Sequence, residues 1–258
     1  MRLYFKFFSM HLKSRMAYRK SFFFSIVGQF LTSFTSFLVI WFLFERFNEV
    51  KGYTISECLL CSGVMAITFA LAEMFFRGFD SFQGIISNMQ FDRMLLRPRG
   101  LVFQMLCHTI EFGRIGRIVQ AIMMLAYGIV VSPVVWTMDK VIVLILMIAG
   151  GTVLFASLFV LHAAVCFFTI EGIEFLNVFT YGAREYGAYP VDIYGNAVLK
   201  FCTYLIPYAL VQYYPLTYLL GRTENIGCSL LPLAAVWFTL PCLALWQYGV
   251  RKYKSTGS

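Results

Sequence analysis

The sequence predicts an all-α integral membrane protein. It has six transmembrane helices, an N-terminal interfacial helix, a cytoplasmic helix between the second and third spans, and a proline-broken outer segment before the last span. Three observations predict this. Of 258 residues, 60% are hydrophobic and only 13% charged, at a mean hydropathy of +0.74, whereas soluble domains are about half apolar and about a quarter charged. Six apolar stretches each approach the ~20 residues that cross a bilayer. The basic residues behind the net charge of +8 are segregated along the chain, as the positive-inside rule requires.

Residues 1–20 set Arg2, Lys6, Lys13 and Lys20 roughly on one helical face, with Leu3, Phe7, Phe8, Leu12 and Met16 largely elsewhere. That pattern suits an interfacial helix on an anionic leaflet. The apolar run that follows is too long for a signal-peptide core and lacks a small-residue cleavage site. The predicted spans are Ser21–Phe44, Ser56–Phe76, His108–Val131, Val141–Phe168, Val198–Leu219 and Ser229–Gly249. The third has Glu111, Arg114 and Arg117 in its first half, so it is expected to begin as a helix in the cytoplasm. The fifth is broken by Pro207 and Pro215, which mark kinks or short half-helices dipping back into the outer leaflet.

With the N-terminus inside, Arg46, Lys51, Lys140 and Arg222 are the only outer members of the 21 lysines and arginines. The inverted orientation would put most of the basic charge outside. This asymmetry accounts for the basic charge without nucleic acid. Both termini are then cytoplasmic, with a large first inner loop at residues 77–107 and a second inner segment at 169–197. The second is rich in Gly and Tyr and is expected to lie along the inner membrane face. No repeat divides the chain, so residues 1–258 read as one transmembrane domain.

Catalytic patterns are missing. There is no Gly-Lys pair, hence no phosphate-binding P-loop, and no zincin or nucleophile-elbow motif. The seven cysteines are scattered in apolar runs; Cys58 and Cys61 are spaced as a pair but lack a second pair, so no metal site is expected. Charges near the spans are the remaining candidates for gating or translocation: Glu73, Glu171 and Glu174, together with Pro207 and Pro215. Glu73 stands four residues before Arg77, and an interfacial i, i+4 pair is its simplest role.

The most informative stretch is Asp80–Gly100. It is mixed in character, and part of it repeats apolar residues at helical spacing until Pro98 stops the pattern. A short amphipathic helix held in a loop between spans suits docking to a partner in water.

Phe91–Pro98 (F-D-R-M-L-L-R-P), Thr169–Gly182, Tyr189–Tyr194 (Y-P-V-D-I-Y) and Tyr213–Gly221 (Y-Y-P-L-T-Y-L-L-G), with the basic N-terminal helix, carry a resemblance. The chain resembles the membrane subunits of type-2 ATP-binding-cassette (ABC) exporters over nearly its whole length. The closest likeness is to the bacterial permeases of the viologen and multidrug exporter branch. The resemblance implies a transport subunit rather than an enzyme, multi-pass in the bacterial inner (plasma) membrane. It implies a translocation path shared with a second permease chain, identical or a sister. It also implies a cytoplasmic ATPase dimer that binds the ATP, this chain holding no cofactor. The loop between the second and third spans would carry the coupling helix, with Ile85, Met89 and Leu95 as apolar anchors and Asp92, Arg93 and Arg97 setting orientation by charge. Two other classes compete: a membrane-embedded lipid-modifying enzyme, which needs convergent acid or base groups at one depth, and a non-transporting anchor or assembly protein.

Overall fold

Helix α1 (Arg2–Met16) lies on the outside of the molecule, with no buried residue, and turns at Ala17 and Tyr18 into α2 (Arg19–Arg46). The computed structural model describes residues 2–169 and 174–254, and no β-strand occurs among them. Helix α3 (Ile55–Asp80) starts at a capping box, where the Thr54 N–H donates to the Glu57 carboxylate at 2.9 Å. It is buried along almost its full length and forms the axis of the bundle.

The chain then turns through α4 (Phe82–Ser87), α5 (Gln90–Leu95) and α6 (Leu101–His108). A single 3₁₀ turn at Phe112–Arg114 leads into α7 (Ile115–Val131). The extended backbone at Thr109 separates α6 from this span, so the third span begins a few residues later than the His108 start that hydropathy suggests. Helix α8 (Met138–Val165) packs on α3 from the other side. Small residues set these approaches. A Cβ on Gly116 would stand 2.0 Å from the Ile26 carbonyl oxygen, so α2 and α7 meet backbone to backbone, as helix interfaces in membranes favour.

Helix α9 (Glu174–Tyr186) corrects the predicted topology. The segment expected to lie along one membrane face instead travels antiparallel to α3 from one end of the bundle to the other. Tyr181 contacts Arg77 and Asp80 near the end of α3. Gly187 abuts Met65. Asp192 accepts a hydrogen bond from Tyr53, before α3 begins. The helix stops at Tyr186, and the unwound stretch beyond it is satisfied by one buried side chain. Gln212 Nε2 stands 2.5 Å from the Gly187 carbonyl oxygen and 2.9 Å from that of Tyr189. Backbone carbonyls at membrane depth need such partners.

The predicted fifth span, Val198–Leu219, is correspondingly three short helices: α10 (Asn196–Tyr204), α11 (Tyr208–Val211) and α12 (Tyr213–Leu219). Pro207 immediately precedes α11, and Pro215 sits in the first turn of α12, where its missing N–H costs nothing. The chain descends from the Tyr53 end to the level of Phe179, where Phe201 stacks on it and the Tyr208 hydroxyl donates to its carbonyl. It then climbs back to Arg222, which donates to the Gly52 carbonyl at 2.8 Å. The half-helices expected at Pro207 and Pro215 are thus a hairpin entering from the Tyr53 end. Helix α13 (Ile226–Ala234), kinked at Pro232, continues through a 3₁₀ turn into α14 (Thr239–Lys252). Among the described residues, five helical segments are long and apolar enough to cross a membrane: Arg19–Arg46, Ile55–Ser87, Phe112–Val131, Met138–Val165 and Ile226–Lys252.

Candidate functional site

The loop singled out in the sequence is two helices, not one. Met89 sits between α4 and α5 with φ of +54°, a left-handed conformation that breaks the pattern. The break decides which residues face outward. Ile85, expected as an exposed anchor, is 3% exposed and packs in the core, so it cannot contact a partner. Met89, Leu95 and Leu96 are exposed, Leu96 at 86%. Arg93, Arg97 and Arg99 are also exposed, and Asp92 is half-buried against Tyr253. Burial and the neighbouring Asp92 carboxylate raise the Tyr253 phenol above its ordinary pKa.

The inner face of the loop is held by aromatic rings. Phe91 lies 5.2 Å from Phe82, 5.3 Å from Phe167 and 5.0 Å from Tyr253, centroid to centroid. Trp246 lies 5.2 Å from Phe79, 4.9 Å from Phe82 and 5.2 Å from Phe167. These rings come from the end of α3, the loop, the end of α8 and α14, and edge-on pairs of this kind add about 0.5–1.5 kcal/mol each beyond burial. Gln104 Nε2 fastens the loop's other side, donating to the Met94 carbonyl at 3.0 Å and the Arg99 carbonyl at 2.9 Å. A force on α5 therefore reaches three long helices at once.

Behind this loop the bundle holds charge. Glu73 is fully buried, and its expected i, i+4 ion pair with Arg77 is present but long, at 3.9 Å from Nη1. Its close partners are Arg117 at 2.7 Å and Arg114 at 3.1 Å. Arg114 also donates to Gln29 Oε1 at 2.9 Å. Arg77 pairs more closely with Asp80 and donates to the Tyr181 hydroxyl at 2.6 Å; that hydroxyl in turn donates to Asp80 at 2.6 Å. The cluster joins α2, α3, α7 and α9. From the sequence alone, Arg114 and Arg117 read as inner-side charges at a span that begins as a cytoplasmic helix. Their i, i+3 spacing within an apolar helix was the available sign that they share a buried carboxylate.

Other expected positions lie elsewhere. Glu174 is exposed at the start of α9, and Pro207 and Pro215 are buried at the hairpin. None of the three has a hydrogen bond or ion pair to Glu73 among the described residues. Glu171 falls outside the described residues.

The far end carries a second network. Arg222 donates to Glu57 at 2.9 Å and lies 4.1 Å over the Tyr53 ring, whose hydroxyl donates to Asp192 at 3.0 Å. Burial, then the Asp192 carboxylate, push the Tyr53 phenol well up from its usual pKa. This clasp ties the start of α3, the crossing segment after α9 and the return of the hairpin.

A helical bundle with several membrane-length spans, an exposed helix bolted to the ends of those spans and a buried charge cluster is the organisation of a polytopic transport subunit. The chain belongs to the family described as ABC-2 family transporter protein, which matches residues 30–257. It is therefore a membrane permease subunit of an ABC transporter, and that membership implies association with an ABC ATPase. Comparison with curated proteins and with solved structures finds no match.

Proposed function

We propose that this chain is one half of the translocation path of an ATP-driven exporter in the plasma membrane, completed by a second permease chain and driven by a cytoplasmic ATPase dimer that binds the ATP. The observation that carries the reading is the division of α5 into two faces. Phe91 and Met94 are buried, at 0% and 5% exposed, among rings from α3, α8 and α14. Leu95, Leu96, Arg93 and Arg97 project away from the bundle. A surface that is exposed yet rigidly joined to several spans is what converts closure of an ATPase into rocking of helices. On this reading the loop end is cytoplasmic, both termini lie on that side, and α9 with the unwound stretch after it is the fifth crossing. Lys200 then moves to the outer side and Arg184 into the bundle, which still leaves most lysines and arginines inside.

Mild-detergent purification of the tagged chain, with identification of co-eluting chains and measurement of ATP hydrolysis, tests this. A stoichiometric ABC ATPase whose activity depends on the permease is the expected result. A chain that elutes alone, with neighbouring ATPases unaffected by it, would overturn it.

A further inference from the structure

Two clefts share a wall between α2 and α7. The first is small, about 30 Å³; more of its wall is apolar than polar, but its lining includes Arg117, Arg184, Glu185, Gln120 and the hydroxyls of Ser33, Ser36 and Ser62. The second is about 180 Å³ and is lined by Phe30, Phe34, Phe37, Met123 and Tyr127. Gln120 and Met124 belong to both. A cleft holding arginine, glutamine and serine groups beside an aromatic one suits an amphiphile, with a headgroup at one end and an apolar tail at the other.

The charge of the headgroup follows from what is left unpaired. Among the described residues, Arg77, Arg114, Arg117 and Arg184 are matched in ion pairs by Glu73, Asp80 and Glu185. Among the described residues this leaves one more arginine than carboxylates in a largely buried setting, and such a charge is costly without a partner. Of the three carboxylates, Glu185 is 61% exposed on its side chain and is the least able to neutralise the interior. Arg117 Nε is buried with no hydrogen-bond partner. Ser62 is 4% exposed and lines this cleft with Ser33 and Ser36. Gln120 Nε2 meets only the Met124 sulfur, at 3.9 Å. The guanidinium groups of Arg117 and Arg184 and the Gln120 amide converge on this cleft, and such donors suit an oxyanion.

We propose that these clefts bind an amphiphile with a phosphate or carboxylate headgroup, the head on Arg117 and Arg184 and the tail along Phe30, Phe34, Phe37 and Tyr127. This rests on and deepens the permease reading by assigning a substrate or modulator class. Two sources share this chemistry: an anionic membrane lipid and a transported anionic amphiphile.

The test is retention of radiolabelled dodecyl phosphate by the full chain in phosphatidylcholine nanodiscs, with no ATPase present, so that its failure leaves the permease reading standing. Saturable binding is expected, competed by dodecanoate and not by dodecyltrimethylammonium or inorganic phosphate. Arg184→Gln, whose ion-pair partner Glu185 is largely in solvent, is expected to weaken binding at least tenfold with the fold intact; Ser62→Ala is expected to weaken it several-fold. Displacement by phosphatidylglycerol assigns the site to a resident lipid, and resistance to it assigns a transported amphiphile. Unchanged affinity in Arg184→Gln, equal affinity for the cationic amphiphile, or loss of all binding when two permease chains associate would overturn the proposal; the last would make the clefts a protein interface.

Discussion

Arg117 donates from Nη1 to Glu73 Oε2 at 2.7 Å, and this contact joins the middle of the bundle to the helix that follows the loop. Glu73 is the only carboxylate paired with Arg114 and Arg117 among the described residues. Removing it leaves two buried guanidinium groups unmatched, and breaking a buried pair from one side costs about 3–5 kcal/mol. Glu73→Gln is therefore expected to lower the apparent Tm of the detergent-solubilised chain by several degrees or to prevent its accumulation. Glu73→Gln with Arg117→Gln is expected to recover part of the loss, since the second change removes one orphaned charge. Thermal unfolding of the three proteins checks this, and equal stability of all of them would contradict a shared buried network.

The Tyr53–Asp192 hydrogen bond, 3.0 Å long, fixes the side on which Asp192 emerges. A cysteine placed at Asp192, in a background without the native cysteines, is expected to react with an impermeant thiol reagent from the same side as one at Lys51 and from the opposite side to one at Arg97. Labelling of intact cells and inverted vesicles measures it. This is also where sequence reading fell short. Helices α2, α3, α7, α8 and the final pair were legible because each is a long uniform apolar run. The crossing at α9 was not, because Tyr181, Arg184 and Glu185 give it a polar face that serves the internal charge cluster, and because it unwinds at Gly187. The hairpin competed for the same place in the count: Val198–Leu219 has the length and hydropathy of a span, and only its prolines hinted otherwise.

Gln212 is the reason the unwound stretch is tolerated. Its side-chain nitrogen serves the carbonyls of Gly187 and Tyr189 in a fully buried setting. Gln212→Leu keeps the volume and removes the donor. Each orphaned buried carbonyl costs about 1–3 kcal/mol, so a fall in apparent Tm is expected together with faster proteolysis or thiol labelling near Gly187. Gln212→Glu is expected to be worse, since a carboxylate offers these carbonyls no proton when ionised.

His108 follows a different logic, being at the loop end of the bundle. Burial first, then the neighbouring charges of His11 and Arg97, lower its pKa from the ordinary value of 6.5. The folded protein therefore favours the neutral ring, which makes a 2.9 Å hydrogen bond with Thr109 Oγ1. Above pH 6.5 folded and unfolded rings are both neutral and nothing is lost. As pH falls below 6.5 the unfolded chain takes up the proton first, so stability declines until the folded ring titrates as well. His108→Gln is expected to flatten this acid limb of stability against pH. Helix α1 docks beside it through His11 Nε2 at 2.9 Å from the Cys107 carbonyl oxygen, so labelling of a cysteine on α1 reports the same transition.

The two faces of α5 separate a coupling defect from a folding defect. The resemblance implies Ile85, Met89 and Leu95 as anchors of one coupling helix; the left-handed Met89 splits that helix, and Ile85 is buried. Leu96→Asp and Arg97→Glu change exposed side chains and are expected to leave the apparent Tm within a degree or two. Both are expected to lower ATPase co-purification and permease-dependent ATP hydrolysis at least several-fold, Arg97→Glu through reversed charge at the interface. Ile85→Asp and Phe91→Ala act on the buried face, where the large-to-small change alone costs about 3–5 kcal/mol. They are expected to destabilise the chain itself. Measuring stability and ATPase recovery on the same four preparations distinguishes the faces. If Leu96→Asp and Arg97→Glu retained full coupling, the exposed face of α5 would not be the docking surface, and the arginines there would serve only to hold the loop on its side of the membrane.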